Sequence, residues 1–110
     1  MAACSIDLIT NTEVSGTTST LVGSARILSG SNTNFSFRAM MGTATFTTAS
    51  LEVKRFTGGS SVTSLEATGS LQDVSGSAVA IPANDWYEFY VSGSTAGTIS
   101  LVKGIRVVLS

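Results

Sequence analysis

Apolar and polar residues alternate with a period of two along most of the chain, and no window keeps a helical period. The clearest examples are residues 5–10, 35–39, 51–56 and 85–91. β-Branched and aromatic side chains fill the apolar positions, which is typical of strands. The pattern therefore predicts an all-β domain.

Residues that form turns separate these segments at intervals of about eight to twelve residues. The run 57–61, with its two glycines, predicts a hairpin between 51–56 and 62–67. Gly23 and the pair Lys103 and Gly104 are expected at bulges or close approaches. About eight or nine short strands result, which is the spacing expected for a sandwich or a jelly roll, and we expect a single antiparallel β-sandwich that is jelly-roll-like. We expect one domain, with residues 1–20 as an N-terminal arm and first strand and 21–110 as the sandwich.

The stretch PANDWYEFY (82–90) holds the single proline, the single tryptophan and four of the eight aromatic residues. On an extended strand its side chains form two rows, one with Tyr87, Phe89 and Val91 and one with Trp86, Glu88 and Tyr90. The first row is continuously apolar and is assigned to the core. Three interpretations of the second row remain open: a subunit interface, which is favoured, sheet packing, or a ligand platform for a glycan. The predicted partner contacts are Trp86, Tyr90, Ile6 and Leu8.

The composition adds a reason to expect association. Only 12% of the 110 residues are charged, while 18 serines and 15 threonines supply most of the polarity. A net charge of −1 gives no attraction to nucleic acid or to an anionic membrane, and no apolar run is long enough to cross a bilayer. One cysteine excludes an intrachain disulfide. A small core and poorly guarded strand edges favour a homo-oligomer, with a trimer preferred.

Candidate chemistry is sparse. The chain has no histidine, no nucleophile elbow and no ligand spacing typical of zinc or calcium sites. Asp85 and Glu88 are three residues apart, so on a strand their carboxylates point to opposite faces and cannot act together on a glycosidic bond. No catalytic, metal or cofactor residue is assigned, and an enzyme is not expected.

Residues 51–110 resemble small β-sandwich modules of tailed-phage virions. The resemblance rests on the order of a strand (LEVKRF), a Gly/Ser hairpin, a Val/Ile run ending in proline, the strand WYEFY and a closing GIRVVLS. It implies an antiparallel sandwich of jelly-roll type with a structural or adhesive role. Because the chain has no heptad or repeat segment that would form the shaft of a fibre, the favoured function is a capsid decoration (cement) protein that binds the outer shell in many copies and stabilises it. The partners would be the major capsid protein or other virion proteins, reached by the arm 1–20, and assembly would take place in the host cytoplasm. The alternatives are a receptor- or glycan-binding tip of a fibre or spike, and a lectin-like module.

Overall fold

The computed structural model describes residues 4–27, 34–43, 48–76, 79–80 and 85–109. These residues form strands and turns, consistent with the period-two pattern. The strands are β1 (Cys4–Ser15), β2 (Thr20–Ile27), β3 (Asn34–Thr43), β4 (Thr48–Arg55), β5 (Ser61–Thr68), β6 (Gln72–Ser75), β7 (Val79–Ala80), β8 (Asp85–Gly93) and β9 (Ile99–Leu109).

The strands make two antiparallel sheets. The five-stranded sheet has the order β1-β9-β3-β6, with β7 also paired to β3, and the four-stranded sheet has the order β2-β8-β4-β5. β6 and β7 pair with successive parts of β3, so together they act as one interrupted edge strand. Counted that way, each sheet is four strands wide, and the chain passes repeatedly from one sheet to the other. This interleaving is the jelly-roll form of the β-sandwich.

The core lies between the sheets and is built from one row of each central strand. Phe35, Phe37, Ala39 and Met41 of β3, Ala49, Leu51 and Val53 of β4, Tyr87, Phe89 and Val91 of β8, and Val102, Ile105 and Val107 of β9 are all buried. Phe37 and Phe89 join the sheets through an edge-to-face contact, with ring centroids 6.0 Å apart and an interplanar angle of 63°. Strand alternation thus places every second residue in the core, except at the bulge that separates Val102 from Ile105 by three positions.

The predicted fold class is confirmed, and so are several local predictions. Packing also requires a glycine that was not predicted, because a Cβ at Gly42 would approach the backbone nitrogen of Leu71 to 2.6 Å. The register of β2 against β8 shifts between Leu21 and Gly23, where a bulge was expected. A second shift leaves Lys103 without a partner on β3, because Met40 pairs with Gly104 and Met41 with Val102.

β1 pairs with β9 from Cys4↔Leu109 to Ser15↔Ile99, so residues 4–15 of the expected arm form a strand of this chain's own sandwich. An arm role for residues 1–20 and a division at residue 20 stay predictions. The turn expected at 29–34 falls mostly outside the described residues, as do part of the weak strand 43–48 and Pro82, which was expected to launch β8.

Candidate functional site

The large hydrophobic side chains that remain exposed in the described residues gather mainly on the two outer surfaces of the sandwich. On the four-stranded sheet and at its end they are Leu21, Phe56 and Trp86, on the five-stranded sheet they are Ile9 and Met40, and Leu71 directly precedes β6. Scattered exposed apolar residues need no explanation, but a grouped set marks a candidate binding surface.

The first surface is ordered by the strand register around β8. Trp86 pairs with Arg26 of β2, and on its other side Phe56 donates its backbone N–H to the Trp86 carbonyl at 2.9 Å. Two residues along β8, Glu88 is flanked by Ser24 and Lys54, and two further on, Tyr90 is flanked by Leu21 and Glu52. Residues directly opposite one another share a face of the sheet. We call this surface, with its aromatic residues Phe56, Trp86 and Tyr90, the aromatic face.

Tyr90 is held in place by charged neighbours on the aromatic face. Its hydroxyl donates to Glu88 Oε1 at 3.2 Å, and Lys54 Nζ lies 5.1 Å from the centre of its ring. Lys54 Nζ is also 3.5 Å from Glu52 Oε1. Desolvation raises the pKa of Tyr90, the bond to Glu88 raises it further, and Lys54 opposes the rise. The tyrosine therefore keeps its proton as a hydrogen-bond donor at neutral pH.

The sequence-predicted residues have different positions in the structure. Trp86 and Tyr90 face outward while their neighbours Tyr87 and Phe89 are buried, so the predicted division of this strand into two rows is confirmed. Leu8 is partly buried and packs against the core, which leaves it little surface for a partner. The side chain of Ile6 lies outside the description, although its backbone pairs with Val107. An interface role for these four residues stays a prediction.

Phe56 was not predicted as a site residue, yet it is 64% exposed and lies next to Trp86 in the backbone pairing. The signal was present in the sequence. Counting by twos from Glu52 and Lys54, which were assigned to the polar side of the strand, Phe56 has the same parity. It was missed because it stands at the edge of the Gly/Ser turn, where alternation is less dependable.

The second surface contains a hollow of about 360 Å³ on the outside of the five-stranded sheet. A row of four charged side chains crosses it from β1 to β6. Asp7 receives hydrogen bonds from Arg106 Nε at 2.6 Å and Nη2 at 3.2 Å, and Arg38 forms an ion pair with Asp73. Arg38 and Arg106 are themselves direct cross-strand partners. The two arginines thus lie on neighbouring strands, and each is paired with a carboxylate on its outer flank.

The floor of this hollow is a glycine between two exposed apolar residues. Gly104 pairs with Ile9 on one side and Met40 on the other, and both of these side chains line the hollow. A Cβ at Gly104 would lie 3.3 Å from the carbonyl oxygen of Leu8, so the two strands approach closely here. The absent side chain leaves a depression where the alternation would otherwise place a third outward group. We call this site the arginine hollow.

The arginine hollow has a distinct electrostatic character. The hydrogen bond from Arg106 lowers the pKa of Asp7, the positive charge lowers it further, and partial desolvation opposes both effects. The same hydrogen bond raises the pKa of Arg106, with smaller contributions from the charges of Asp7 and Asp73. Asp7 and Arg106 therefore form a charged pair at neutral pH, and the formal charges of the four-residue row sum to zero.

No cluster of three or more Cys, Asp or Glu side chains suited to a metal ion occurs in the part of the chain that the structure describes. Within that same part, no helix has the length and apolar character needed to cross a membrane.

Comparison with known proteins gives a fold but no family. No family model matches the sequence, and no curated protein matches it either. The CBM36-1 domain of a multidomain xylanase from the hindgut metagenome of Trinervitermes trinervoides superposes with a TM-score of 0.71 at 10% identity, over 96% of each chain. The carbohydrate-binding module CBM36, solved with calcium and xylotriose, gives 0.57 at 18% identity, over 96% of this chain and 87% of that one. The structure of infectious bursal disease virus strain Gx gives a TM-score of 0.61 at 12% identity, over 99% of this chain and 32% of that one. At such identities the likeness shows a shared β-sandwich fold alone.

Proposed function

We propose that this chain is a non-catalytic glycan-binding module and that the aromatic face is its binding surface. The observation that carries the proposal is the exposed row of Phe56, Trp86 and Arg26 at one end of the four-stranded sheet, with Tyr90 and its charged neighbours beside it.

A sugar ring needs two kinds of contact at once. Its C–H groups present an apolar side that packs on an aromatic ring, while its hydroxyls need donors and acceptors around the rim. Trp86 is 48% exposed and supplies the apolar surface. Glu88 on the same strand, and Glu52 and Lys54 on the neighbouring strand β4, supply acceptors and donors.

The aromatic face is also built rigidly. β8 is a central strand, paired on both sides, and the residues between the outward aromatics are buried in the core. Side chains fixed on a paired strand lose less freedom on binding than side chains on a loop, which favours affinity. The fold supports the same proposal, because two of the solved structures that resemble this chain are carbohydrate-binding modules.

The hypothesis of a virion decoration protein explains the exposed aromatics differently, as contacts with coat subunits or with copies of this chain. One of the similar structures is viral, and its likeness at 12% identity is a likeness of fold. Capsid binding, a homotrimer and a location on the capsid exterior stay predictions. The glycan-binding alternative accounts better for an aromatic face rimmed with hydrogen-bonding groups.

The test is a screen of the chain against an array of neutral and acidic oligosaccharides, followed by calorimetric titration of the strongest neutral binder. Trp86→Ala is expected to weaken that binding by about 2 kcal/mol or more, or about thirtyfold in Kd. Leu71→Ala is the matched control, because it shortens an exposed apolar residue that lies away from the aromatic face.

Light scattering on the same samples separates the glycan-binding proposal from the interface hypothesis. A chain that binds no neutral glycan, forms trimers and becomes monomeric on Trp86→Ala would overturn the proposal in favour of a subunit interface. Glycan binding that Trp86→Ala weakens and Leu71→Ala leaves unchanged supports the proposal.

A further inference from the structure

We infer that the arginine hollow is a second ligand site and that it binds the carboxylate of an acidic sugar residue. This inference deepens the proposed function. It rests on that function for one point only, the identification of the bound anion as part of a glycan. The site lies on the opposite sheet from the aromatic face, so the two can be tested separately.

The argument begins with the two arginines. Arg38 and Arg106 are direct cross-strand partners, an arrangement in which like charges repel. Each carboxylate of the row lies on an outer flank, Asp7 beside Arg106 and Asp73 beside Arg38. The two arginines therefore bring two positive charges to adjacent strands at the middle of the row. A single anionic group placed there would relieve the repulsion.

The guanidinium groups also keep donors for such a group. A guanidinium has five N–H bonds, and a carboxylate accepts them in pairs. Among the described residues, Arg106 directs Nε and one Nη2 hydrogen at Asp7, and Arg38 directs one Nη2 hydrogen at Asp73. Most of their donors thus remain for solvent or a ligand. The ion pairs orient the two guanidinium groups toward their flanking carboxylates.

The rest of the hollow suits a sugar ring rather than a free inorganic ion. Ile9 is 90% exposed and Met40 41% exposed, and they stand on either side of Gly104 as apolar walls next to the charged row. A volume of about 360 Å³ is at the lower end for small-molecule sites and is adequate for one or two sugar residues. A phosphate or sulfate ion would leave these apolar walls in water.

The experiment titrates the chain with the trisaccharide of galacturonic acid and, separately, with its methyl ester, which has the same ring shape without the charge. We expect the acid to bind and the ester to bind at least about tenfold more weakly. Added salt should weaken binding of the acid and leave binding of the ester unchanged. Arg38→Gln and Arg106→Gln are each expected to lower affinity for the acid about tenfold or more. Gly104→Ala adds a methyl group to the floor of the arginine hollow without changing the charge, and it should also lower the affinity for the acid.

The matched control is Lys103→Gln, which removes one positive charge from the same sheet at a residue that does not line the hollow. It should leave the affinity for the acid nearly unchanged. Thermal unfolding of each variant checks that the fold is intact. Equal binding of acid and ester, or an equal loss in Lys103→Gln and Arg38→Gln, would overturn the inference. If Arg38→Gln loses binding of the acid and keeps binding of the neutral glycan, the inference is supported. If the chain binds the acid but no neutral glycan, the inference is also supported, and only the proposed function fails.

Discussion

The two outer surfaces of the sandwich are produced by the same alternation but offer different chemistry. On the aromatic face, the central strand β8 presents the side chains of Trp86, Glu88 and Tyr90, and these side chains cover the surface of the sheet. On the other sheet, Arg106 and Gly104 occupy successive outward positions of the central strand β9. Because glycine has no side chain, the surface is concave there. A glycine at an outward position thus leaves a depression that a side chain would fill.

The arrangement of charge differs in the same way. On the aromatic face, Lys54 interacts with both Glu52 and the ring of Tyr90, so opposite charges and an aromatic ring are mixed. In the arginine hollow, two positive groups are adjacent and the two negative groups are outside them. The first arrangement suits the many hydroxyls of a neutral sugar, and the second suits one carboxylate.

The largest expected effect is on the core that both surfaces share. Phe89 lies behind the aromatic face and contacts Phe37, the neighbour of Arg38 in the arginine hollow. Phe89→Ala should reduce the free energy of unfolding by about 3–5 kcal/mol, a large part of the stability of a small domain. Urea unfolding measures this change. Phe56→Ala is the matched control, because the same substitution at an exposed residue should cost about 0.5 kcal/mol or less.

The next effect tests whether the two surfaces are independent. Trp86→Ala and Arg38→Gln change opposite sheets, which lie about 10 Å apart. Each should abolish most binding of its own ligand and alter the Kd of the other ligand by less than about twofold. Titrations of both ligands against both variants and the double variant give the result. If either variant weakened both ligands equally, the two surfaces would act as one site and the comparison would fail.

A smaller effect is expected at the edge of the aromatic face. Phe56 follows β4 and is not held between two neighbouring strands, so it should contribute less than Trp86. Phe56→Ala is predicted to weaken neutral-glycan binding by about 1 kcal/mol, or about fivefold. A loss as large as that of Trp86→Ala would show that the ligand is centred on the turn instead of on β8.

The smallest effect concerns the ion pair in the arginine hollow. The pKa of Asp7 lies below its ordinary value of 3.8 because of Arg106. The contribution of this pair to the stability of the folded chain is therefore fully present above pH 3.8. It is lost as the pH falls through the lower pKa that Asp7 has in the folded state. NMR titration of the Asp7 carboxyl should show the lowered value, and Arg106→Gln should return it toward 3.8. Both groups are about half exposed, so the thermal midpoint at neutral pH should hardly change. An Asp7 titration that Arg106→Gln does not move would show that the pair is not formed.

Much of this protein is readable from its sequence because strand alternation is a local property. The rows of β8 and the bulges near Gly23 and Lys103 follow from residue types a few positions apart. The period of two also indicates that Phe56 faces outward, in line with Glu52 and Lys54. Only the tertiary structure decides which strands become neighbours. Arg38 and Arg106 are 68 positions apart by residue number, Asp7 and Arg106 are 99 apart, and nothing local predicts that they meet across a sheet. The aromatic face was therefore partly visible in PANDWYEFY, whereas the arginine hollow exists only because the jelly roll places β9 between β1 and β3.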